Sequence, residues 1–434
     1  MNGNQAIPFR QALAVWWRIG LLSFGGPAGQ IALMHRILVD EKRWLDEARF
    51  LHALNYCMLL PGPEAQQLAT YVGWLLHGVR GGLVAGLLFI LPGALLILVL
   101  SWVYVLFGEV TLVEGLFVGL KAAVLAIVVQ ALIRIGRRAL SGLLKPLLAV
   151  AGFLALFVFG LPFPLVVLGA GVIGFAGARW FGGVTPGAGE PLPDTLVRPG
   201  TRRTALVCLA LWLGTVLALL GLLGPDQVFS QIAVFFSKMA TVTFGGAYAV
   251  LAYVAQQGVE TYGWLQPGEM LDGLGLAETT PGPLILVTQF VGFLAAFRDA
   301  GVGESLFWAT LGAGLTTWVT FLPCFLWIFA GAPYVEKLRG HRALTAALAA
   351  ITAAVVGVIA NLALWFGINA LFADTVRFQG LGMDLLLPAL GSVQPVTLAI
   401  AVVAFVLAFV FRLGVLPLLL CCALMGMAAA LMAG

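Results

Sequence analysis

The sequence predicts an all-α polytopic membrane protein made of two inverted structural repeats, each of about six apolar segments, joined by one linking helix. Composition is the first reason. Of the 434 residues, 61% are hydrophobic and 10% are charged, so polar groups are too few to cover a soluble core of this size. Apolar runs of about 20 residues, the length of a membrane-spanning helix, recur along the chain. The third reason is an internal duplication.

The apolar segments divide the chain into two similar halves. The first half contains segments at 11–34, 51–77, 82–107, 111–133, 144–159 and 163–180. After a further segment at 204–223, the second half contains segments at 227–254, 271–297, 304–330, 343–369, 395–411 and 413–432. The predicted organisation is a first repeat over 1–180, a cytoplasmic Gly/Pro-rich linker over 181–202, a linking transmembrane helix over 203–225 and a second repeat over 226–434.

The duplication is visible as short motifs that recur at a constant offset. Phe-Gly-Gly at 24–26 recurs at 244–246, and Pro-Gly-Pro at 61–63 recurs at 281–283, so the offset in position is 220 for both motifs. Further along the chain the offset grows to 231, which places an insertion near 298–301. Glycine and proline breaks at equivalent places in two halves are typical of secondary transporters built from repeats.

Two observations indicate that the repeats are inverted. An even number of crossings followed by one linking helix turns the second repeat upside down. The loop after the first segment carries the cations Arg36, Lys42, Arg43 and Arg49. The equivalent loop, 255–270, contains no Lys or Arg, so the two loops should face opposite sides of the membrane. All basic loops can be cytoplasmic if the first two segments of each half are helical hairpins that enter the membrane and return on the same side. The chain would then have four such hairpins and nine full spans. The alternative is thirteen simple spans.

The Pro-Gly-Pro turns predict broken helices inside the apolar segments. Proline removes a backbone donor and is tolerated in the first helical turn, so one half-helix should begin near Pro63 and its copy near Pro283. The free amides and positive dipole of such a helix start attract anions. The double glycines at 25–26 and 245–246 permit positive φ and close approach of backbone to a ligand. We expect the four breaks to meet near the membrane midplane and form one anion site.

Cations inside the apolar segments indicate the sign of the ligand. Arg18 and Lys238 are related by the same offset of 220, and a buried cation is costly unless it is paired. Two cations related by the duplication suit a dianion. Lys121 is a third candidate, although its counterpart in the second repeat is Thr352. Alternatively, these side chains extend to the membrane interface or pair with carboxylates.

Two carboxylates lie next to the Pro-Gly-Pro motifs without being repeat equivalents. Glu64 follows the first motif and Glu278 precedes the second. A carboxylate beside an anion site repels the ligand unless it is protonated or paired. Glu64 and Glu278 are therefore candidates for coupling anion movement to protons; equally, each could merely neutralise a nearby cation.

Polar side chains near the breaks complete the predicted site. Candidate hydrogen-bond donors are Ser23, Thr243, Gln66, Thr280 and Gln289, although polar residues also join membrane helices to one another. The predicted substrate-binding residues are Arg18, Lys238, Ser23, Gly25, Gly26, Thr243, Gly245, Gly246, Pro61, Gly62, Pro63, Pro281, Gly282, Pro283 and Lys121.

Other classes of function are not favoured by the sequence. The four histidines, His35, His52, His77 and His341, have no metal-ligand spacing, and no nucleotide-binding or nucleophile motif is present. We therefore predict no enzyme activity, no metal and no cofactor. The net charge of +4 is ordinary for a membrane protein with basic cytoplasmic loops and gives no reason to expect nucleic acid.

The duplicated Phe-Gly-Gly, Trp-Leu and Pro-Gly-Pro motifs resemble those of the chromate ion transporter (CHR) family, in its long form with two fused domains. The resemblance extends over nearly the whole chain. It implies efflux of chromate across the bacterial cytoplasmic membrane, conferring chromate resistance, with sulfate as a related substrate and drive from the membrane potential or protons. The second repeat departs from the pattern where Ala247 replaces the counterpart of Pro27. A sulfate or other oxyanion carrier, an anion channel and a membrane scaffold are the alternatives, and a homodimer is an open possibility.

Overall fold

The computed structural model describes residues 7–181, 200–244, 246–266, 268–299, 305–331, 342–380 and 383–433. Six helices in this part of the chain are long and apolar enough to cross a membrane: Glu64–Phe107, Thr111–Ala139, Thr201–Leu223, Leu306–Gly331, Arg342–Leu371 and Val415–Ala433. The fold is almost entirely helical, as the composition and the apolar runs predict.

The helices of the first half are α1 (Phe9–Leu22), α2 (Gly26–His35), α3 (Glu47–Cys57), α4 (Glu64–Phe107), α5 (Thr111–Ala139), α6 (Leu144–Phe157), α7 (Phe163–Ala176) and α8 (Ala178–Phe181). A π-helical turn, Arg36–Glu41, follows α2. The backbone of α4 leaves helical geometry at His77 and Gly78, where the sequence separates two segments. The predicted linker lies largely outside the described residues, and α9 (Thr201–Leu223) follows it.

The second half repeats this order. Its helices are α10 (Val228–Val242), α11 (Ala247–Gln256), α12 (Glu269–Thr279), α13 (Val287–Arg298), α14 (Leu306–Gly331), α15 (Arg342–Leu371), α16 (Pro395–Phe409) and α17 (Val415–Ala433). A π-helical turn, Gln257–Thr261, follows α11 in the place that Arg36–Glu41 has after α2. A 3₁₀ turn, Leu284–Leu286, leads into α13, and another, Leu390–Ser392, precedes α16.

The first two apolar segments of each half are broken into short helices, as predicted. The helices α1 and α10 have 14 and 15 residues, which corresponds to about 21–23 Å at 1.5 Å per residue. This is shorter than a hydrocarbon core of roughly 30 Å. The described breaks after α1 and α10 coincide with the Phe-Gly-Gly motifs, because glycine accepts the positive φ that the chain needs there.

The structure divides into two compact units, and each takes residues from both halves of the sequence. The first unit consists of Met1–Leu98, Gly187–Thr243 and Thr280–Gly340. The second consists of Val99–Pro186, Phe244–Thr279 and His341–Gly434. Within the second unit, α6 and α7 of the first half pack on α15, and α16 and α17 of the second half pack on α5. In this unit, therefore, two helices from each half pack against one long helix of the other half, α15 or α5.

A β-hairpin in the second unit has no counterpart in the sequence prediction. Its strands, β1 (Thr375–Gly380) and β2 (Met383–Pro388), pair in antiparallel register with Thr375 opposite Pro388. The amide of Asp384 donates to the carbonyl of Val158 at 2.9 Å, which ties the hairpin to the end of α6. Arg377 pairs with Asp384 at 2.6 Å and with Glu260, in the turn after α11, at 3.8 Å.

Candidate anion-binding site

The two Pro-Gly-Pro turns, 61–63 and 281–283, are joined to the breaks of the opposite repeat by matching backbone hydrogen bonds. The amide of Gly62 donates to the carbonyl of Thr243 at 2.8 Å, and the amide of Gly282 donates to the carbonyl of Ser23 at 2.8 Å. Gly62 and Gly282 are repeat equivalents, as are Ser23 and Thr243. The turn of each repeat therefore meets the end of the broken helix of the other, within the first unit.

A second symmetric contact supports each turn. A Cβ placed on Gly93, in α4, would overlap the carbonyl oxygen of Pro281 and lie 3.2 Å from its carbonyl carbon. A Cβ placed on Gly62 would be 2.9 Å from Sγ of Cys324, in α14. Gly93 and Cys324 are equivalent at the offset of 231. Each turn is therefore held on two sides by the opposite repeat, with almost no free space between turn and helix.

Both turns lead directly into helix starts. Helix α4 begins at Glu64, the residue after Pro63, which confirms the predicted start. Pro283 precedes the 3₁₀ turn Leu284–Leu286 and then α13. The first amides of a helix lack internal partners and its dipole favours negative charge. Glu64 places a carboxylate at the first start, whereas its equivalent Leu284 leaves the second start uncharged, so the second is the better place for an external anion.

The Phe-Gly-Gly motif of the first repeat exposes backbone beside open space. Gly25 and Gly26 have φ of 82° and 70°, and a Cβ built on either has no atom within 4 Å apart from the adjacent chain. Gly246, at the equivalent break of the second repeat, has φ of 97° and precedes α11. Gly245 lies outside the described residues. The open side of Gly25 and Gly26 allows a ligand to reach the main chain without displacing a side chain.

The expected burial of the two cations is wrong, because both Arg18 and Lys238 are exposed. Arg18 lies on the side of α1 away from the buried Trp16, and its guanidinium pairs with Glu41 at 2.8 Å. Lys238 is the one exposed residue of α10, and no described carboxylate forms an ion pair with it. Lys238 is therefore the cation of this pair that is free to meet an anion.

The hydroxyls predicted as ligand donors are already used. Ser23 Oγ donates to the carbonyl of Ile19 at 2.6 Å, and Thr243 Oγ1 donates to that of Met239 at 2.7 Å. Both hydroxyls are buried and act within their own helices, which leaves them only as acceptors. The amides of Gln66 and Gln289 likewise donate inside the fold, to Thr70 at 3.0 Å and to the carbonyl of Ala94 at 2.8 Å.

The ionisable candidates of the second unit are paired. Lys121 lies 3.2 Å from Asp272, so the alternative interpretation, pairing with a carboxylate, holds for this lysine. Tyr248 donates its hydroxyl proton to the buried carboxylate of Glu278. Lys121 and Glu278 are thus held by partners within the second unit, and neither is a free ligand for an anion in this conformation.

Comparison with known proteins places the chain in a family. The family profile described as chromate transporter matches residues 10–175 and 230–427, most of both halves. The chain belongs to the chromate transporter family. The match includes both copies of the Pro-Gly-Pro and Phe-Gly-Gly motifs, so the site described above falls within the family's common region. This is a family of transporters and not of enzymes, and the protein is a multi-pass membrane protein.

Three similar proteins have names that specify chromate transport. The chain is 33% identical to the chromate transport protein of Pseudomonas aeruginosa, over 82% of this chain and 81% of that one. It is 30% identical to the chromate transport protein of Cupriavidus metallidurans, over 81% and 80%. It is 28% identical to the probable chromate transport protein of Synechococcus elongatus, over 86% and 88%. No solved structure is significantly similar to the chain.

Some residues of this chromate transporter family member were missed by the sequence analysis. Gln30, buried in α2, donates from Nε2 to the carbonyls of Gly282 and Ser23 and so fastens the second turn. Asp272 is the buried partner of Lys121. Neither has an equivalent of its own type in the other repeat, so a search for duplicated residues cannot find them. Their signal is a polar side chain inside an apolar segment.

Proposed function

We propose that the protein exports chromate from the bacterial cytoplasm, across the cytoplasmic membrane, by alternating access around an oxyanion site. The site lies at the two Pro-Gly-Pro turns, 61–63 and 281–283, called the crossed turns because each contacts the opposite repeat. The observation that carries this proposal is the matching pair of hydrogen bonds, from Gly62 to Thr243 and from Gly282 to Ser23. They join four duplicated helix breaks in pairs, which is the arrangement that midplane ion sites of secondary transporters use. Family membership supplies the chromate.

Three features support an oxyanion ligand at these turns. The helix start after Pro283 bears no side-chain charge, so its amides and dipole favour an anion. The open backbone at Gly25 and Gly26 allows close approach. Lys238 supplies a positive charge without a competing carboxylate among the described residues. A tetrahedral dianion can accept from several donors at once, and these three features are the donors proposed for it.

Alternating access follows from the equivalence of the two repeats. Two copies of one unit in opposite orientations can exchange conformations, so that the site opens first to one side and then to the other. The membrane potential, negative inside, drives a dianion outward, since each charge moved through 100 mV contributes about 2.3 kcal/mol. Export therefore needs no nucleotide.

The test is chromate uptake into inside-out membrane vesicles. We expect saturable uptake by the wild type, inhibited by excess sulfate and reduced when the potential is collapsed. Lys238→Ala should raise KM by roughly 5- to 30-fold, the equivalent of about 1–2 kcal/mol for one partly solvated charge-assisted contact. Arg18→Ala should have a smaller effect, because Glu41 already neutralises Arg18. Arg137→Ala, an exposed cation at the end of α5, is the matched control.

The outcomes separate the alternatives. Flux that does not saturate would indicate a channel, and sulfate flux without chromate flux would indicate a carrier for another oxyanion. If Lys238→Ala and Arg137→Ala have the same KM as the wild type, the anion binds elsewhere in the protein and not near α10.

A further inference from the structure

Four ionisable side chains form a cluster in the second unit. Lys121 on α5 lies 3.2 Å from Oδ2 of Asp272 on α12. The hydroxyl of Tyr104, near the end of α4, lies 3.1 Å from Oδ2 of Asp272 and 3.3 Å from Oε1 of Glu269. The cluster contains two carboxylates and one cation, so it carries one excess negative charge when both acids and Lys121 are ionised and Tyr104 is neutral.

Asp272 is a buried carboxylate that lacks a hydrogen-bond donor for one of its oxygens. Its side chain is 3% exposed, and Oδ1 has no hydrogen-bond partner among the described residues. A buried carboxylate oxygen without a donor loses the full solvation of that oxygen. A proton bound at Oδ1 removes the charge and with it this cost.

Lys121 is accessible where Asp272 is not. Its side chain is 28% exposed, and it lies well inside the membrane-spanning helix α5, more than two turns beyond its first residue, Thr111. A cation at this depth is costly to keep unless it is paired or meets a ligand. Lys121 can therefore turn from Asp272 to an anion on its exposed side.

The other groups that face Asp272 are few. From α12 itself the neighbour is Glu269, from α4 it is Tyr104 and from α5 it is Lys121. Helix α17, which also packs on α12, contains no charged residue. The equivalents of Lys121 and Asp272 in the other repeat are Thr352 and His52, so the pair occurs once per chain.

We propose that Asp272 is a proton-binding site that controls access of the oxyanion to Lys121. In the empty site, ionised Asp272 holds Lys121. When a proton binds at Oδ1, Asp272 becomes neutral, the ion pair ends and the ammonium of Lys121 is free to bind the oxyanion. One proton is taken up for each anion bound there. This inference rests on the proposed function, since it concerns the same substrate.

Glu64 and Glu278, the acids proposed from the sequence, fit this role less well. Glu278 already accepts the proton of the Tyr248 hydroxyl. Glu64 is the first residue of α4, directly after the first Pro-Gly-Pro turn. Neither forms an ion pair with a described lysine or arginine, so protonating either releases no cation.

The experiment is equilibrium binding of chromate to the purified full-length protein over an alkaline pH series, in which chromate remains a dianion. For the wild type, we expect the apparent Kd to rise about tenfold per pH unit once Asp272 is ionised, as linkage to one proton requires. Asp272→Asn imitates the neutral acid and should bind tightly at every pH. Glu114→Gln, at an exposed acid on α5, should keep the wild-type slope, and so should Glu278→Gln.

Tyr104→Phe gives a second, milder test. The Tyr104 hydroxyl stabilises the ionised carboxylate, so its removal should move the midpoint of the binding profile to higher pH without abolishing the slope. A wild-type slope retained in Asp272→Asn, or an unmoved midpoint in Tyr104→Phe, would overturn the inference. Absence of saturable chromate binding by the wild type at every pH would instead overturn the proposed function. Thermal unfolding of each variant shows whether it is folded.

Discussion

The contact between Gly93 and the second Pro-Gly-Pro turn offers the sharpest test of the crossed-turn arrangement. In Gly93→Ala the new Cβ would overlap the carbonyl oxygen of Pro281 and lie 2.7 Å from Cδ1 of Leu286. Both contacts are well inside the 3.4 Å at which ordinary van der Waals contact begins. The Leu286 side chain can change its rotamer, but the Pro281 oxygen is backbone and cannot rotate away, so the substitution has to displace the whole turn.

The size of the effect follows from two opposing contributions. Alanine is favoured over glycine in a helix interior by about 0.5–1 kcal/mol. Overpacking a tight contact costs typically about 1–3 kcal/mol. If the overpacking cost falls on the substrate-binding conformation, chromate affinity decreases by roughly 5- to 150-fold, while the helix preference offsets part of the loss in thermal stability.

The assay compares KM for chromate in inside-out vesicles with the unfolding temperature of the purified protein. The matched control is Gly214→Ala in α9, where the added Cβ has no atom within 4 Å apart from its chain neighbours and the backbone of its own helix. This substitution should leave KM unchanged and stability equal or slightly higher. We expect Gly93→Ala to raise KM well beyond its effect on stability. A normal KM in Gly93→Ala would mean that the turn at 281–283 does not shape the substrate site.

Two further predictions concern the supports of each unit. Gln30→Leu leaves the buried carbonyl of Gly282 without its donor, which should destabilise the protein by about 1–3 kcal/mol and lower its unfolding temperature. The control Gln11→Leu, at an exposed glutamine of α1, should leave the unfolding temperature unchanged. Equal unfolding temperatures for the two variants would show that the hydrogen bond from Gln30 contributes nothing to stability. Burial raises the pKa of Glu260, in the loop after α11, above its ordinary value of 4.5, and Arg377 offsets this only in part. The neutral form is therefore favoured in the folded state, and its stabilising effect is lost as pH rises through the raised pKa. The unfolding temperature of Glu260→Gln should thus gain on the wild type as pH increases above about 4.5, and a constant difference would contradict this.

The sequence predicts those parts of the fold that depend on local rules. Apolar length defines the helices, and proline chemistry places the start of α4 after Pro63, because a residue without an amide hydrogen belongs in the first turn. The constant offset of 220 identifies Gly62 with Gly282 and Ser23 with Thr243. An offset shows which residues are equivalent, but not which ones touch. The contact of each turn with the opposite repeat is a tertiary feature and needed the structure.

Three further features were beyond the sequence analysis for different physical reasons. The hairpin at 375–388 is short and lies between apolar runs, where length and hydropathy carry little signal. Burial of Arg18 and Lys238 was inferred from their position inside apolar segments, yet a helix in a segment still has an exposed side, and both cations lie on it. The pair of Lys121 and Asp272 joins positions that the duplication does not relate.

Symmetry of the backbone and asymmetry of the charges have different consequences in a protein of this kind. In the proposed alternating-access mechanism, two identical half-sites would make the inward-open and outward-open states equal in energy, apart from the effects of the lipid and the membrane potential. The helix starts differ by one carboxylate, Glu64 against Leu284. A charge at a helix N-terminus contributes about 0.3–1 kcal/mol, which corresponds to a roughly 2- to 5-fold population difference between two states that use it unequally. Under the proposed mechanism both states thus remain populated while one is preferred. If the proposed alternating access is correct, the duplicated backbone contacts allow both states to form, and the unduplicated side chains set the preference between them.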